Sequence, residues 1–283
     1  MKALEKTRLA ASILKDSHIQ QATREAELII AHCLGIDKVI LYRDDPFIPE
    51  EAMTRIDRMI ERRKKREPLQ YILSVIDFWG LKIHVGPGVL IPRPETELLV
   101  EEAIKTLRML TKDTSSPFNI LDVCTGSGCI ALALAQEYPS ARVYGTDVSE
   151  SALTFAKTNS EINRIKNVKF LTGAFFQPVE GMTFDLIVSN PPYIPTGDIV
   201  GLQPEIKNWE PVEALNGGAD GLAYSRRIFD EGLLFLKKKG CIVLELGDQQ
   251  AECIMKMACM KSFSEKEVKK DLSGIKRIFK ACL

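Results

Sequence analysis

The sequence predicts an α/β fold: a mainly parallel β-sheet with helices on both faces, preceded by a small helical domain and a β-hairpin connector. Three observations carry this prediction. Apolar residues recur at helical spacing over roughly the first seventy positions. From Tyr71 the pattern alternates like a hairpin, through Phe78, Leu81, Ile83 and Val85. After Pro117, apolar strands alternate with Ala- and Leu-rich helices, the rhythm of a parallel sheet wrapped by helices.

The first helix is expected around Leu4, Leu9, Ile13 and Leu14. A second runs from Ala22 through Ala26, Ile29 and Ile30 to Leu34, with Gly35 as its C-cap. A third starts near Pro49, carries Ala52, Ile56 and Ile60, and ends in the basic run Arg62 to Arg66. Cations suit a helix C-terminus, so that run reads as a solvated helix end, with contact to an acidic partner as the alternative. Residues 1–72 therefore form a helical domain and 73–92 a hairpin connector, turned at Gly86-Pro87-Gly88. Residues 93–283 form the sheet domain. Within it, "FNILDV", "ARVYGTD", "VKFLT", "FDLIVSN" and "CIVLELG" read as strands. Thr96-Glu97 leads into a helix, and Ser127 to Glu137, "SESALTFAKTN" and a long stretch from Asp220 to Lys239 read as others. The end of the chain reads as two strands around Asp271-Leu-Ser-Gly274, an antiparallel pair at one end of the sheet.

Composition narrows the function classes. Over 283 residues, 45% are hydrophobic and 27% charged, enough to bury a core of ordinary size. The formal net charge is zero, so no global field draws the chain to nucleic acid or to a membrane surface, and stable binding to either is not expected. Seven cysteines are scattered singly and none has metal-ligand spacing with His18, His32 or His84. No metal is expected, and the cysteines read as reduced thiols. The amino terminus lacks the pattern of a secretory signal, and no apolar run approaches the ~20 residues of a bilayer span. The expected location is the cytoplasm.

The chemistry begins at "DVCTGSGCIALALA". Gly126 and Gly128 lie between the first strand of the sheet and its helix, where a backbone can approach a ligand at a helix N-terminus. Ligands of such sheets bind outside the carboxyl ends of the strands. Asp147 ends the next strand, at the ~20-residue spacing expected of a ribose-binding carboxylate. The loop leaves NAD and S-adenosylmethionine open as cofactors.

The stretch "DLIVSNPPYIP" separates them. Asn190 ends the fourth strand of the sheet. The two prolines fix φ and stiffen the turn. Asn190 then offers a side-chain oxygen and Pro191 a carbonyl, two acceptors that suit the two hydrogens of an NH2 group. Tyr193 adds a flat face. An amide nitrogen is a poor nucleophile because its lone pair is delocalised. Holding both hydrogens localises and aims that lone pair, so methyl transfer relies here on positioning more than on a titrating base.

The combination of "DVCTGSG", "GTDVS" and "NPPY" resembles the class I S-adenosylmethionine-dependent methyltransferases of planar NH2 groups, which have a Rossmann-like sheet. "REPLQYIL", "DFWGLKIHV", "VLIPRPETELLV" and "EALNGGADGL" are similar to segments of the peptide chain release factor N5-glutamine methyltransferases (the HemK/PrmC family). The resemblance covers nearly the whole chain. It implies S-adenosyl-L-methionine as methyl donor and, as substrate, the glutamine of the Gly-Gly-Gln motif in class I release factors, recognised with help from the helical domain. By the same resemblance the loop Cys124, Thr125, Gly126, Ser127 and Gly128 lines the methionine portion, Asp147 binds the ribose and Phe175 packs near the adenine. Asn190 touches cofactor and substrate, Asn190 and Pro191 hold the substrate amide, and Pro192 and Tyr193 shape its slot. "IPRPETE" closes over the cofactor. Cys124 stands at a glycine of the family loop and is expected in an ordinary backbone conformation. Ala174 stands where related chains often carry an acid, so backbone N–H groups are expected to serve the adenine there. The competing reading is a DNA amino-methyltransferase (adenine N6) with the same turn, against which the neutral charge and the lack of a large insertion argue.

Overall fold

The computed structural model describes residues 1–110 and 117–283. The chain divides into two compact units, Met1–Val75 with Gln203–Trp209, and Ile76–Leu202 with Glu210–Leu283.

The first unit is helical: α1 (Ala3–Asp16), α2 (Ala22–Leu34), α3 (Lys38–Asp44), α4 (Glu50–Lys64) and α5 (Leu69–Leu73). Its core gathers Leu14, Ile29, Ile30, Leu41 and Ile56. The buried stripe of α1 is Ala3, Thr7, Ala10 and Leu14, whereas Leu9 and Ile13 are exposed. The small residues of the stripe let α1 approach its neighbours closely, and the larger apolar side chains flanking it misled the periodicity. Helix α2 ends at Gly35 in the left-handed region, as expected. Helix α3 has too few residues to establish a period.

The basic run at the end of α4 is a solvated helix end at Lys64 and Lys65, which are exposed, but not throughout. Arg63 is only 4% exposed. Its guanidinium meets Glu25 at 2.5 Å and Glu205 at 2.9 Å. Arg66 forks onto both oxygens of Glu205 at 2.7 Å. Glu205 lies in α9 (Pro204–Lys207), on the segment that the later part of the chain returns to this unit. The acidic partner of the basic run is thus the chain itself.

In the second unit β1 (Val75–Phe78) and β2 (Leu81–His84) pair as a hairpin. Asn163 and Asn159 accept from the backbone N–H groups of Lys82 and His84 at 3.1 and 2.7 Å. These side-chain amides satisfy an edge that would otherwise be left open. From Ile76 onward the hairpin belongs with the sheet unit.

The main sheet contains β3 (Asn119–Val123), β4 (Arg142–Asp147), β5 (Val168–Thr172), β6 (Phe184–Ser189), β7 (Leu236–Glu245), β8 (Glu265–Lys270) and β9 (Lys276–Cys282). Their spatial order is β5-β4-β3-β6-β7-β9-β8. The first five are mutually parallel, and β9 and β8 run antiparallel at one end. Helices α6 (Thr96–Leu110), α7 (Cys129–Glu137), α8 (Glu150–Ile162), α10 (Ala223–Gly232) and α11 (Ala251–Cys259) accompany it. This is the predicted α/β architecture.

Three details differ from expectation. The long helix ends at Gly232, and β7 begins at Leu236 rather than after Gly240. Its first residues, "LKKKG", carry lysines that look helical and solvated, yet Lys237 pairs with Asp185 of β6 at 2.7 Å. Helix α11 is not among the helices that the sequence predicts. Finally, not all thiols are reduced. Cys241 on β7 and Cys282 on β9 form a disulfide, because the antiparallel register sets them opposite one another with Cα atoms 4.1 Å apart. Residues distant in sequence were brought together by strand pairing.

The buried arginine makes a prediction. Arg63→Ala leaves Glu25 facing Glu205, although Arg66 still neutralises part of that charge. Urea unfolding should show a loss of about 3 kcal/mol, the scale for removing one member of a buried ion pair.

Candidate active site

The glycine loop follows β3 at the centre of the sheet. Asp122 is fully buried beneath it and accepts from the Thr125 hydroxyl at 2.6 Å and from the Ala131 N–H at 3.2 Å. Burial lifts this carboxyl to about 7, against the pull of those two hydrogen bonds. Asp122 therefore anchors the loop to α7. Cys124, Gly126 and Gly128 all have positive φ, at 60°, 55° and 79°. Cys124 is thus in the left-handed region, contrary to the expected ordinary conformation. The loop keeps the backbone shape of its glycine positions, and the small side chain tolerates the strain. Burial, then the nearby Asp147 and Asp122, push the Cys124 thiol up, which disfavours its thiolate. At Gly128 a Cβ would come within 2.8 Å of Phe170, so this glycine permits close packing of α7 on the sheet.

Asp147 ends β4. Its oxygens accept from the Gly126 N–H at 2.8 Å and the Ser149 N–H at 2.9 Å. Burial raises its carboxyl, and these backbone bonds oppose the rise. Each oxygen keeps a second lone pair for a ligand. Phe175 has φ 51°, and its carbonyl accepts from the Thr146 hydroxyl at 2.9 Å. Its ring lies 5.4 Å from that of Tyr224, with the Arg227 guanidinium 4.2 Å from its centre.

Asn190 stands one residue past β6, beside the glycine loop. Its Nδ2 donates to Thr96 Oγ1 at 3.2 Å, so Oδ1 points the opposite way. Thr96 is the first residue of α6 and is 1% exposed. The Tyr193 hydroxyl donates to Glu245 Oε1 at 3.4 Å, which turns this ring toward the end of β7. Gln250 Nε2 donates to the carbonyls of Tyr193 and Gly221 at 2.9 and 3.1 Å. A Cβ on Gly221, whose φ is +74°, would sit 2.3 Å from the Tyr193 carbonyl, so only glycine allows "NGGADG" to lie against the turn.

A cavity of about 350 Å³ lies between these parts. Cys124, Thr125, Gly126, Ser127, Asp147, Phe175, Asn190 and Pro192 line it, together with Thr96 and Tyr224. Gly128, Pro191 and Tyr193 are not among the residues that line it. The segment Gly88 to Pro92 forms part of the wall. It is fastened by Glu210, which accepts from the Ile91 N–H at 3.2 Å and from Arg93 at 2.6 Å. Sequence reasoning missed Thr96, Tyr224, Glu245 and Gln250. The readable signal for Glu245 was its place: an acid ending the apolar run "CIVLELG", as Asp147 ends "ARVYGTD". Thr96, Tyr224 and Gln250 left no comparable trace.

The model of the methyltransferase small domain family matches residues 97–200, and that of the PrmC N-terminal domain matches residues 5–73. The chain is 46% identical to the release factor glutamine methyltransferase of Thermodesulfovibrio yellowstonii, over 98% of this chain and 97% of that protein. It is 41% identical to the protein of that name from Geobacter sulfurreducens, over 94% and 91%. Among solved structures, a methyltransferase from Pyrococcus furiosus shares the fold with a TM-score of 0.50, at 19% identity, over 83% of this chain and 98% of that one. With a glycine loop, a strand-end carboxylate and an Asn-Pro-Pro-Tyr turn around one cavity, and with relatives this similar along nearly its entire length, the chain belongs to the release factor glutamine methyltransferase family.

Proposed function

We propose that the protein transfers a methyl group from S-adenosyl-L-methionine to the side-chain nitrogen (N5) of the glutamine in the Gly-Gly-Gln motif of class I peptide chain release factors, in the cytoplasm, with S-adenosyl-L-homocysteine as the leaving group and one amide proton released. The observation that supports this most directly is the Asn190 amide, which lines the cavity with Nδ2 committed to Thr96. Its oxygen is then the end available to an incoming NH2 group. The helical unit is proposed to recognise the release factor, while the sheet unit binds donor and glutamine. No described helix is long and apolar enough to cross a membrane.

The residues of the cavity fit the methyl donor. A carboxylate with spare lone pairs suits ribose hydroxyls, and Asp147 would hold them. Phe175 and Tyr224 offer flat faces for an adenine. The backbone from Cys124 to Ser127 would lie along the methionine portion. When bound, S-adenosyl-L-methionine supplies an electrophilic sulfonium methyl group. Asn190 Oδ1 and the Pro191 carbonyl accept the two hydrogens of the glutamine amide. That grip holds the NH2 plane still and turns the nitrogen lone pair toward the cavity. Pro192 and Tyr193 keep the turn rigid, so little reorganisation is needed during reaction.

Three measurements test this reading. With methyl-labelled S-adenosyl-L-methionine, label should appear on a release factor and not on its Gly-Gly-Glu variant or on duplex DNA. Label on DNA alone would establish the competing reading instead. Asn190→Ala should keep most of its donor affinity in a direct binding experiment and lose on the order of a hundredfold in kcat, the scale for removing one positioned transition-state partner. Asp147→Asn should weaken donor binding by about tenfold or more, because hydrogen bonds to a charged group are worth ~1.5–3 kcal/mol. Calorimetric titration reads that loss directly.

A further inference from the structure

Helix α8 meets the hairpin and the chain that follows it with one stripe of side chains. Asn163, at its C-cap, and Asn159, Phe155 and Ser151 are spaced by four and share a face. Opposite them stand Lys82, His84, Gly86 and Gly88, spaced by two. Asn163 Oδ1 accepts from the Lys82 N–H at 3.1 Å, and its Nδ2 donates to the Lys82 carbonyl at 2.8 Å. Asn159 does the same at His84, at 2.7 and 3.1 Å. A Cβ on Gly86 would come within 2.9 Å of the Phe155 ring. The Ser151 hydroxyl donates to the Gly88 carbonyl at 3.2 Å. Four helical residues rise about 6 Å and two extended residues about 6.6 Å, so the two spacings match. The stripe thus sets the register of the chain that leads into the cavity wall, and Gly88 is the first wall residue.

The two asparagines differ in one hydrogen. The second Nδ2 hydrogen of Asn163 returns to its own helix, at the Asn159 carbonyl 2.8 Å away. That of Asn159 crosses to the Ser127 carbonyl at 3.0 Å. Docking the hairpin needs only the pair of bonds that Asn163 also makes. The bond to Ser127 serves the glycine loop, and Ser127 lines the cavity. On the far side of the same peptide plane, the Gly128 N–H donates to the Thr125 carbonyl at 2.9 Å. The Ser127–Gly128 peptide is therefore held at both its oxygen and its nitrogen. Its oxygen faces Asn159, which is fully buried and not part of the lining. That keeps an acceptor away from the carboxylate that the methionine portion of the donor carries. A leucine at 159 would leave one N–H and two carbonyls unmet in a dry site, and an aspartate could accept but not donate.

We propose that Asn159 is a positioning residue for the methyl donor: its one buried amide ties the Ser127 carbonyl of the glycine loop to His84, just ahead of the Gly88–Pro92 wall, and so holds two parts of the cavity lining at a fixed separation. This rests on the reading of the cavity as the donor site. Asn159 touches no ligand. It acts through the backbone of Ser127 and through the hairpin.

The test uses the full-length protein, with S-adenosyl-L-methionine titrated by calorimetry and methyl transfer measured on a release factor. Asn159→Ala should raise the donor Kd and the donor KM by about tenfold or more, the usual effect of removing a support behind a binding group, with the KM for the release factor within about twofold of wild type. Asn163→Ala, which removes the matching pair of bonds to the hairpin, should leave the donor Kd within about twofold, because it has no bond to the glycine loop. A misfolded fraction would lower kcat and leave the donor KM of the folded remainder as it was, so the donor KM separates positioning from stability. An unchanged donor Kd and KM in Asn159→Ala, or an equal rise in Asn163→Ala, would overturn the proposal. If circular dichroism shows Asn159→Ala unfolded, Asn159→Ser, whose hydroxyl keeps one bond, decides by the same two criteria. A wild type that binds no S-adenosyl-L-methionine overturns the donor reading and the proposal with it. A wild type that binds it and leaves the release factor unlabelled overturns only the glutamine reading, and calorimetry on the variants still decides the role of Asn159.

Discussion

The site depends on the pairing of β3 with β6. These strands are far apart in sequence, yet Val123 lies in register with Ser189, and the Ser189 hydroxyl donates to the Val123 carbonyl at 2.5 Å. The chain starts the sheet at its centre, builds outward to β5, then crosses back to add β6 on the other side of β3. At that reversal the loops after two adjacent strands diverge and leave a crevice at their carboxyl ends. The glycine loop occupies one side and the Asn-Pro-Pro-Tyr turn the other. The pairing of β6 with β3 brings the glycine loop and the Asn-Pro-Pro-Tyr turn to one cavity.

Around that crevice, rigidity comes from groups that are not themselves in contact with a ligand. Asp122 ties the loop to α7, Glu210 fastens the wall through Ile91 and Arg93, and Gln250 grips the Tyr193 carbonyl. Each spends a strong, buried acceptor or amide on holding backbone in place. Such supports matter in a reaction that depends on aim, because a planar amide must be presented with its lone pair along one line.

The departures from expectation have a common physical origin. Cys124 occupies a left-handed position because the surrounding loop, pinned by Asp122 and by Asp147, determines its backbone more strongly than its own preference does. Arg63 is buried because two carboxylates from distant parts of the chain converge on it. Cys241 meets Cys282 because antiparallel strands put them face to face. In each case a local propensity is overruled by partners that the neighbouring sequence does not contain.

By itself the sequence determined what is local or patterned. Alternating apolar runs specified the strands and helices, and with them an α/β sheet with an antiparallel end. The spacing of Gly126, Gly128 and Asp147 marked a candidate nucleoside site, and the two prolines after Asn190 marked a stiff turn. These are legible because φ restriction, glycine freedom and burial period are properties of short stretches. Tertiary structure alone decided which groups stand behind that turn. Thr96, Glu245 and Gln250 come from segments outside the turn, and nothing within the turn names them. Their meeting follows from strand order and register, which are settled by packing across the whole sheet, and so it could be read only once the chain was folded.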